Sequence, residues 1–507
     1  MSDKLIKYRI VIYLLLCISF GFILCNSLYK GHSWGGDFAL YIRQSQSIIE
    51  QDSKKVEADM EFILENSSDK YFSPVNYPWG FPLLITPVIK LAKITAGPSV
   101  EDFALLKLIE IFFYTGFIAL FFLWIKGKFK GIIPLAITVF IAMQSTYVEY
   151  LNHILAEMPY IMFMMASIIV IEYSIQYNRF ERKRGYTIWK HTLINIAVGC
   201  LIFYTSQIRS EGFLLFPVLI AAHIKFLILH KKYDDFSATG EILKIFVPYV
   251  SALIMWVIWS NVFPSGYISH LEHSALISTQ SILNNIGSYF RALYSYMPLP
   301  GAIMTVLFII TAVFGMFKNI IRDIIPATML ILSAGLFIVW PHYEWRYAFS
   351  LFPLLTFFFV RGLESLKTNK IPLSLPKYVI IIMAAIMFVK TGLWTIQTNA
   401  AGKNTMIGPN MYYSGEMFDF IKENTNPDDI VAFFRPRVMY LYTGRKSLTL
   451  TGDFEHTAKH AQWYVCTFDR GDFYQYSDKT LEGYKQYLKK AFQNNDFVIY
   501  KISRDEK

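Results

Sequence analysis

The amino-acid sequence predicts an α-helical polytopic membrane protein of about eleven spans, N-terminus inside and C-terminus outside, ending in a small extracytoplasmic α/β domain. Three observations predict it. Hydrophobic residues make up 54% of the 507 residues and charged residues only 17%, against roughly 25% charged in a soluble protein. Apolar runs long enough to form membrane helices recur along the chain. Basic residues collect in every second short loop between those runs, as the positive-inside rule requires.

The first run, Tyr8 to Leu28, follows Lys4, Lys7 and Arg9. No A-x-A site closes it, and Phe22-Ile23-Leu24-Cys25 lacks the small residue that lipoprotein processing wants, so it reads as an uncleaved anchor. Further spans fall near 103–125, 132–148, 158–177, 192–208, 212–229, 244–262, 300–317, 324–340, 347–363 and 378–396. Segment 80–97 is apolar but interrupted by Pro82 and Pro87, and it carries Lys90 and Lys93. It reads as a juxtamembrane helix on the outer surface; an extra span there would break the charge alternation.

The cytoplasmic loops hold Lys126, Lys128 and Lys130; Arg179, Arg182, Lys183, Arg184 and Lys190; Lys231, Lys232 and Lys244; Lys318 and Arg322; and Arg361, Lys367, Lys370 and Lys377. Loops 29–102 and 263–299 and the tail from 398 then lie outside. In that tail, Tyr412 to Asn424 has the pattern of an amphipathic helix, and Asn426-Pro427-Asp428-Asp429 makes a turn. Ile430 to Phe434 reads as a strand, followed by Val438 to Tyr442 and a turn at Gly444. Tyr464 to Phe468 and Phe497 to Tyr500 are further strand candidates, and intervening helices indicate a small α/β unit. The organisation expected is a transmembrane unit over 1–397, with its outer loop at 29–102, and an outer unit over 398–507.

Several function classes drop out. The net charge of +10 sits in short clusters between apolar runs, so it argues for cytoplasmic loops and against a nucleic-acid partner. Of Cys17, Cys25, Cys200 and Cys466, three fall inside spans, leaving neither a disulfide framework nor metal-ligand spacing. No phosphate-binding glycine loop or nucleophile elbow occurs in a fitting context. Without a nucleotide site, an activated donor has to come from the lipid.

Ionisable groups within or at the edge of a bilayer are costly unless paired or hydrated, and so mark candidate sites. Asp37 follows the first span in Gly31-His32-Ser33-Trp34-Gly35-Gly36-Asp37-Phe38-Ala39-Leu40-Tyr41, where the glycines would let backbone approach a ligand. Glu157 opens the span beginning Met158-Pro159-Tyr160, at the positive end of its helix. Lys107 and Glu110 lie one turn apart inside a span, either as an ion pair or with Lys107 facing a phosphate. Arg209 and Arg346 lie outside, against the positive-inside bias; they suit a lipid phosphate or pairing with Glu211 and Glu344. His270 and His273 have metal-like spacing on one helical turn, an isolated and weak signal. The expected metal ligands are none.

In their order along the chain, these residues resemble the motifs of the GT-C superfamily of membrane glycosyltransferases, which use lipid-phosphate sugars. The branch most similar contains the protein mannosyltransferases and the lipid A aminoarabinose transferase. Gly36-Asp37-Phe38-Ala39-Leu40-Tyr41 resembles the acidic first-loop motif, and Tyr77-Pro78-Trp79-Gly80-Phe81-Pro82 the juxtamembrane Tyr-Pro-Pro-Gly type. Ala156-Glu157-Met158-Pro159-Tyr160 resembles the second acidic motif, and Lys107 falls where a basic residue is frequent. Ile208-Arg209-Ser210-Glu211-Gly212 and Arg346-Tyr347-Ala348-Phe349 resemble the later arginine motifs; Phe420 to Arg445 resembles the outer domain of bacterial members. Trp79 stands in place of the second proline, and no lysine precedes Pro78, a departure from the aminoarabinose branch.

The resemblance implies sugar transfer, with inversion, from a polyprenyl-phosphate donor to an extracytoplasmic hydroxyl on a glycan, lipid or protein acceptor. Asp37 would be the general base and Glu157 a second catalytic acid, while Arg209, Arg346 and Lys107 would hold the donor phosphate. The rings of Trp34, Tyr41, Tyr77 and Tyr347 would line the substrate. No cofactor is required by the residues, and a divalent metal stays open because only some relatives use one. The membrane implied is a bacterial inner or archaeal one. Two other readings stand beside it. A flippase or transporter of lipid-linked glycans would show paired repeats and midplane charges; a glycan polymerase or ligase would lean on loop 263–299, with His270 and Arg291.

Overall fold

A helix rises about 1.5 Å per residue, so a hydrocarbon layer of about 30 Å sorts these helices by length. In the computed structural model, seven helices are long and apolar enough to cross a membrane, among the described residues. Those residues are 18–66, 77–180, 188–230, 238–263, 277–299, 301–340, 343–366, 375–449, 454–468 and 475–503. Residues 8–17 of the first expected span and the His270/His273 pair lie outside them.

Helices α1 (Asp37–Glu50), α2 (Ser53–Asn66) and α3 (Gly80–Ala92) precede α4 (Val100–Lys126), α5 (Ile133–Ala142), α6 (Ser145–Tyr150), α7 (Glu157–Phe180) and α8 (Ile188–Ile208). The chain continues through α9 (Leu215–His230), α10 (Ala238–Val262), α11 (Thr279–Tyr296), α12 (Ala302–Asn319), α13 (Ile324–Val339), α14 (Ala348–Ser365) and α15 (Leu375–Ala400). The long apolar stretches are in α4, α7, α9, α10, α12, α14 and α15; α3, α5, α8 and α13 contain shorter ones. The chain is a multi-pass membrane protein.

Helix α4 shows how a sequence boundary becomes a structural one. Ser99 and Asp102 form a reciprocal capping box, Asp102 N–H donating to Ser99 Oγ at 3.1 Å and Ser99 N–H to Asp102 Oδ2 at 2.9 Å. Two free amides are satisfied where the helix leaves water. The run expected to span at 132–148 is instead two helices, α5 and α6, broken where Gln144 turns to extended backbone. Carbonyls freed by such a break need donors. The Tyr114 hydroxyl donates to Ala142 O at 3.0 Å, and Thr391 Oγ1 donates to Met143 O at 2.5 Å.

Charges far from the ends of α1 and α7 that carry Asp37 and Glu157 are also paired. Lys128 meets Glu172 at 2.8 Å, Trp124 Nε1 donates to the same carboxylate at 3.1 Å, and Arg361 meets Asp323 at 3.0 Å. Glu172 lies about 22 Å along α7 from Glu157 at 1.5 Å per residue, so one helix carries an ionic cluster near each end.

The tail forms α16 (Tyr412–Asn424), β1 (Val431–Ala432), α17 (Pro436–Thr443), β2 (Ser447–Leu448), α18 (Phe454–His460), β3 (Trp463–Thr467), α19 (Asp478–Gly483), β4 (Leu488–Gln493) and β5 (Phe497–Ile502). The sheet order is β2-β1-β3-β5-β4, with β1 parallel to β2 and β3 and the β3/β5 and β4/β5 pairs antiparallel. Val438 to Tyr442 lies within helix α17, which ends on Gly444 at φ +71°, the left-handed residue of an αL terminus.

This sheet unit is seated on the segments around Lys30 and Pro98. Lys30 and the 404–406 backbone exchange hydrogen bonds of 2.7 and 3.0 Å, and the Tyr442 hydroxyl and Asn410 Nδ2 both donate to Pro98 O at 2.8 Å. Trp34 inserts among Phe418, Phe433, Phe434 and Phe497, with ring centroids 5.3–6.2 Å apart.

Candidate active site

Each acid and arginine of the site sits where a helix begins or a turn precedes one. Asp37 is the first residue of α1, and Glu157 the first of α7. Such placements favour carboxylates because unpaired amides and the helix dipole face them. Arg209 occupies extended backbone between α8 and a 3₁₀ turn over Ser210–Leu214. Arg346 lies in the 3₁₀ turn Trp345–Tyr347 that feeds α14.

These four segments, remote in sequence, bring their charges together. Arg346 Nη1 meets Asp37 Oδ2 at 2.9 Å, and Arg346 Nε lies 3.3 Å from Glu157 Oε1. Arg209 Nη1 donates to the same Glu157 oxygen at 2.5 Å, while its Nε and Nη2 grip Glu211 at 2.7–3.2 Å. The resulting cleft is lined by Glu157, Tyr160, Arg209, Arg346, Tyr347 and Ser350 among others. Arg209 also lies 5.2 Å from the Tyr347 ring centroid, a cation–π contact.

The Asp37 carboxylate is held from both sides. The Tyr77 hydroxyl donates to its Oδ1 at 2.7 Å. Burial raises its pKa, but the positive charge of Arg346, the Tyr77 hydrogen bond and the charge of Arg437 outweigh burial and lower it to about 2. Burial, with the adjacent Asp37 charge, pushes the Tyr77 hydroxyl up to about 12. Tyr77 therefore keeps its proton and remains the donor. A quarter of the Asp37 side chain is exposed, and a carboxylate has lone pairs beyond those two contacts. A Cβ on Gly36 would meet nothing within 4 Å, so open space rather than close backbone approach distinguishes that glycine.

Three buried polar atoms in the cleft have no hydrogen-bond partner among the described residues: Glu157 Oε2, the Tyr160 hydroxyl and Arg346 Nε. Buried polar groups are nearly always satisfied, so these point to a ligand carrying hydroxyl or phosphate oxygens. Among the described residues, no three or more His, Cys, Asp or Glu are grouped to hold a metal ion. The Asp37 and Glu157 carboxylates are engaged by guanidinium groups instead.

Other expected contacts are placed differently. Lys107 neither pairs with Glu110 nor faces the cleft: its Nζ donates to Tyr29 O and Gly31 O at 2.6 Å each. Glu110 Oε1 accepts from Leu155 N–H at 3.3 Å. One turn of α4 thus braces both loops that lead to the site acids, a low-cost way to hold charges inside a membrane. Trp34 is buried in the aromatic cluster described above, away from the cleft. Tyr41 is buried with its ring 4.8 Å from those of Tyr77 and Phe81. Arg291, on α11, is exposed and bonds Ser288 at 3.1 Å.

His32 and His153 also support the Asp37 loop. Ile154 N–H donates to His32 Nε2 at 3.1 Å and the His32 Nδ1–H donates to Ser33 O at 2.8 Å, which assigns one neutral tautomer. Burial, reinforced by Lys107 and Arg346, lowers His153 to about 4.

No protein-family model matches the chain, and no curated protein matches its sequence. Solved structures do. ArnT from Cupriavidus metallidurans bound to undecaprenyl phosphate superposes with a TM-score of 0.57 at 10% identity, over 96% of this chain and 97% of that one. The archaeal oligosaccharyltransferase AglB from Archaeoglobus fulgidus, in complex with an inhibitory peptide and a dolichol-phosphate, gives 0.51 at 11% identity, over 89% of this chain and 69% of that one.

The chain has the GT-C fold.

Within this GT-C fold, sequence reasoning missed Tyr160, His32, His153 and Arg437. His32 and Tyr160 lie inside motifs that the sequence singles out. Arg437 carries no local signal, because only folding brings α17 over Tyr77.

Proposed function

We propose that this chain transfers a sugar from a polyprenyl-phosphate donor to an acceptor hydroxyl at the outer face of a prokaryotic membrane. The observation carrying this reading is the ion-pair network of Asp37, Glu157, Arg209 and Arg346, the last three lining one cleft, in a GT-C fold. Related folds have been solved with undecaprenyl phosphate and dolichol-phosphate bound. On this reading the sheet unit over 398–507 is extracytoplasmic, as the charge alternation requires.

The chemistry follows from the charges. The acceptor oxygen forms a bond to the anomeric carbon as its proton passes to Asp37. The bond from that carbon to the phosphate oxygen breaks on the opposite face, its electron pair leaves with the polyprenyl phosphate, and the configuration inverts. The leaving group is already a stable anion and needs no general acid. Arg346 and Arg209 offset its developing charge, with a donor oxygen replacing one of the carboxylate contacts each now makes. Glu157 orients both guanidinium groups. Its free oxygen and the Tyr160 hydroxyl are placed to bond donor hydroxyls.

The test is Asp37→Asn in membranes given undecaprenyl phosphates bearing labelled sugars. We expect transfer to fall by roughly 100- to 10,000-fold while undecaprenyl phosphate still binds. Undiminished transfer would sink Asp37 as the base.

A further inference from the structure

The acids of the site outnumber the cations that the membrane unit places beside them. Around the site stand four carboxylates (Asp37, Glu157, Glu211 and Glu344) and two guanidinium groups (Arg209 and Arg346). Two negative charges are left over. A third cation comes from the tail. Arg437, on α17, is nine-tenths buried and lies 5.4 Å from the centroid of the Tyr77 ring. The hydroxyl of that ring is the one that donates to Asp37.

Helix α17 is held in place at several points. Three residues beyond Arg437, on the same helix face, the Tyr440 hydroxyl bonds Asp59, and the Arg43 guanidinium lies 5.6 Å from the Tyr440 ring. Tyr442 donates to Pro98 O, and Gly97 makes room for its ring, which a Cβ there would overlap. The helix is thus pinned by contacts independent of Arg437.

We infer that Arg437 is a positioning residue for Asp37, acting through Tyr77, so that the C-terminal sheet unit supplies a working part of the transfer site. The inference rests on the sugar-transfer reading above. A cation over the ring face holds the ring in place and polarises its O–H toward the carboxylate. Asp37 also faces Arg346, and through it Glu157 and Glu344, so Arg437 modulates a base that other charges already hold.

The test uses the full chain in lipid nanodiscs with labelled undecaprenyl-phosphate sugar donors, comparing wild type with Arg437→Met, Arg437→Lys, Tyr77→Phe and Asp37→Asn. Arg437→Met keeps most of the stem packing and removes the charge. We expect kcat to fall roughly tenfold, with donor KM within about twofold because Arg437 acts through the Tyr77 ring. Arg437→Lys should recover most of the rate. In a Tyr77→Phe background, Arg437→Met should add less than about a twofold further loss, since coupled residues are not additive.

Equal losses in the Met and Lys variants would assign Arg437 to packing and overturn the inference. So would full additivity with Tyr77→Phe. An inactive Asp37→Asn beside a wild-type-like Arg437→Met would overturn this inference and leave the sugar-transfer reading standing. A fully active Asp37→Asn would overturn that reading itself.

Discussion

At the residue scale, a carboxylate bound by Arg346 and Tyr77 titrates lower than a free one. Asp37 falls from 3.8 to about 2. A depressed folded-state pKa means that its contribution to stability is present above pH 3.8 and is lost as pH falls toward 2. The same shift keeps Asp37 ionised, and able to accept a proton, throughout the neutral range. The pH–rate profile for kcat/KM should therefore show no limb from Asp37 above about pH 4, since that profile reports free-enzyme groups. An acid limb near 5 that disappears in Asp37→Glu would contradict this assignment. Asp37, Glu157, Arg209 and Arg346 could be singled out from sequence because charge at a span edge is costly without a purpose. Lys107 met the same criterion, yet its charge serves the backbone of the Asp37 loop. The cost of a charge says that it has a partner, not which one.

At the element scale, the site depends on how closely helix ends approach one another. Gly80 opens α3, and a Cβ there would fall 2.5 Å from Gln207 O, two residues before Arg209. Gly80→Ala should therefore force α3 off the end of α8. The expected cost is about 1–3 kcal/mol from overpacking. The expected loss of turnover is up to about 100-fold, because small displacements of charged groups are magnified in the rate. Thermal melting and turnover measured together would check this; a variant matching wild type in both would show that the contact relaxes freely. The length of apolar runs located most of the membrane helices, since each has an apolar run of its own. It missed the break between α5 and α6, because the donors that stabilise that break, Tyr114 and Thr391, come from other helices.

At the scale of the whole molecule, the sheet unit and the membrane unit share an aromatic seam centred on Trp34. Trp34→Ala should destabilise that seam by about 3–5 kcal/mol, as for other buried tryptophans. It should also expose the linker near 400–411 to limited proteolysis. Unchanged proteolysis would show that the Tyr442, Asn410 and Lys30 contacts hold the two units together unaided.

The sequence by itself determined what each segment can tolerate. Apolar length and basic loops are local, so they specified a polytopic helical chain, an α/β tail and Glu157 at a helix start. Tertiary structure decided which of those charges meet. Arg346 bridges Asp37 and Glu157, Lys107 turns to backbone carbonyls, and Arg437 reaches Tyr77 from the far end of the chain. The physical reason is range. Helix formation and membrane partition act over neighbouring residues, whereas a charge is settled only by the partners that packing brings within a few ångströms.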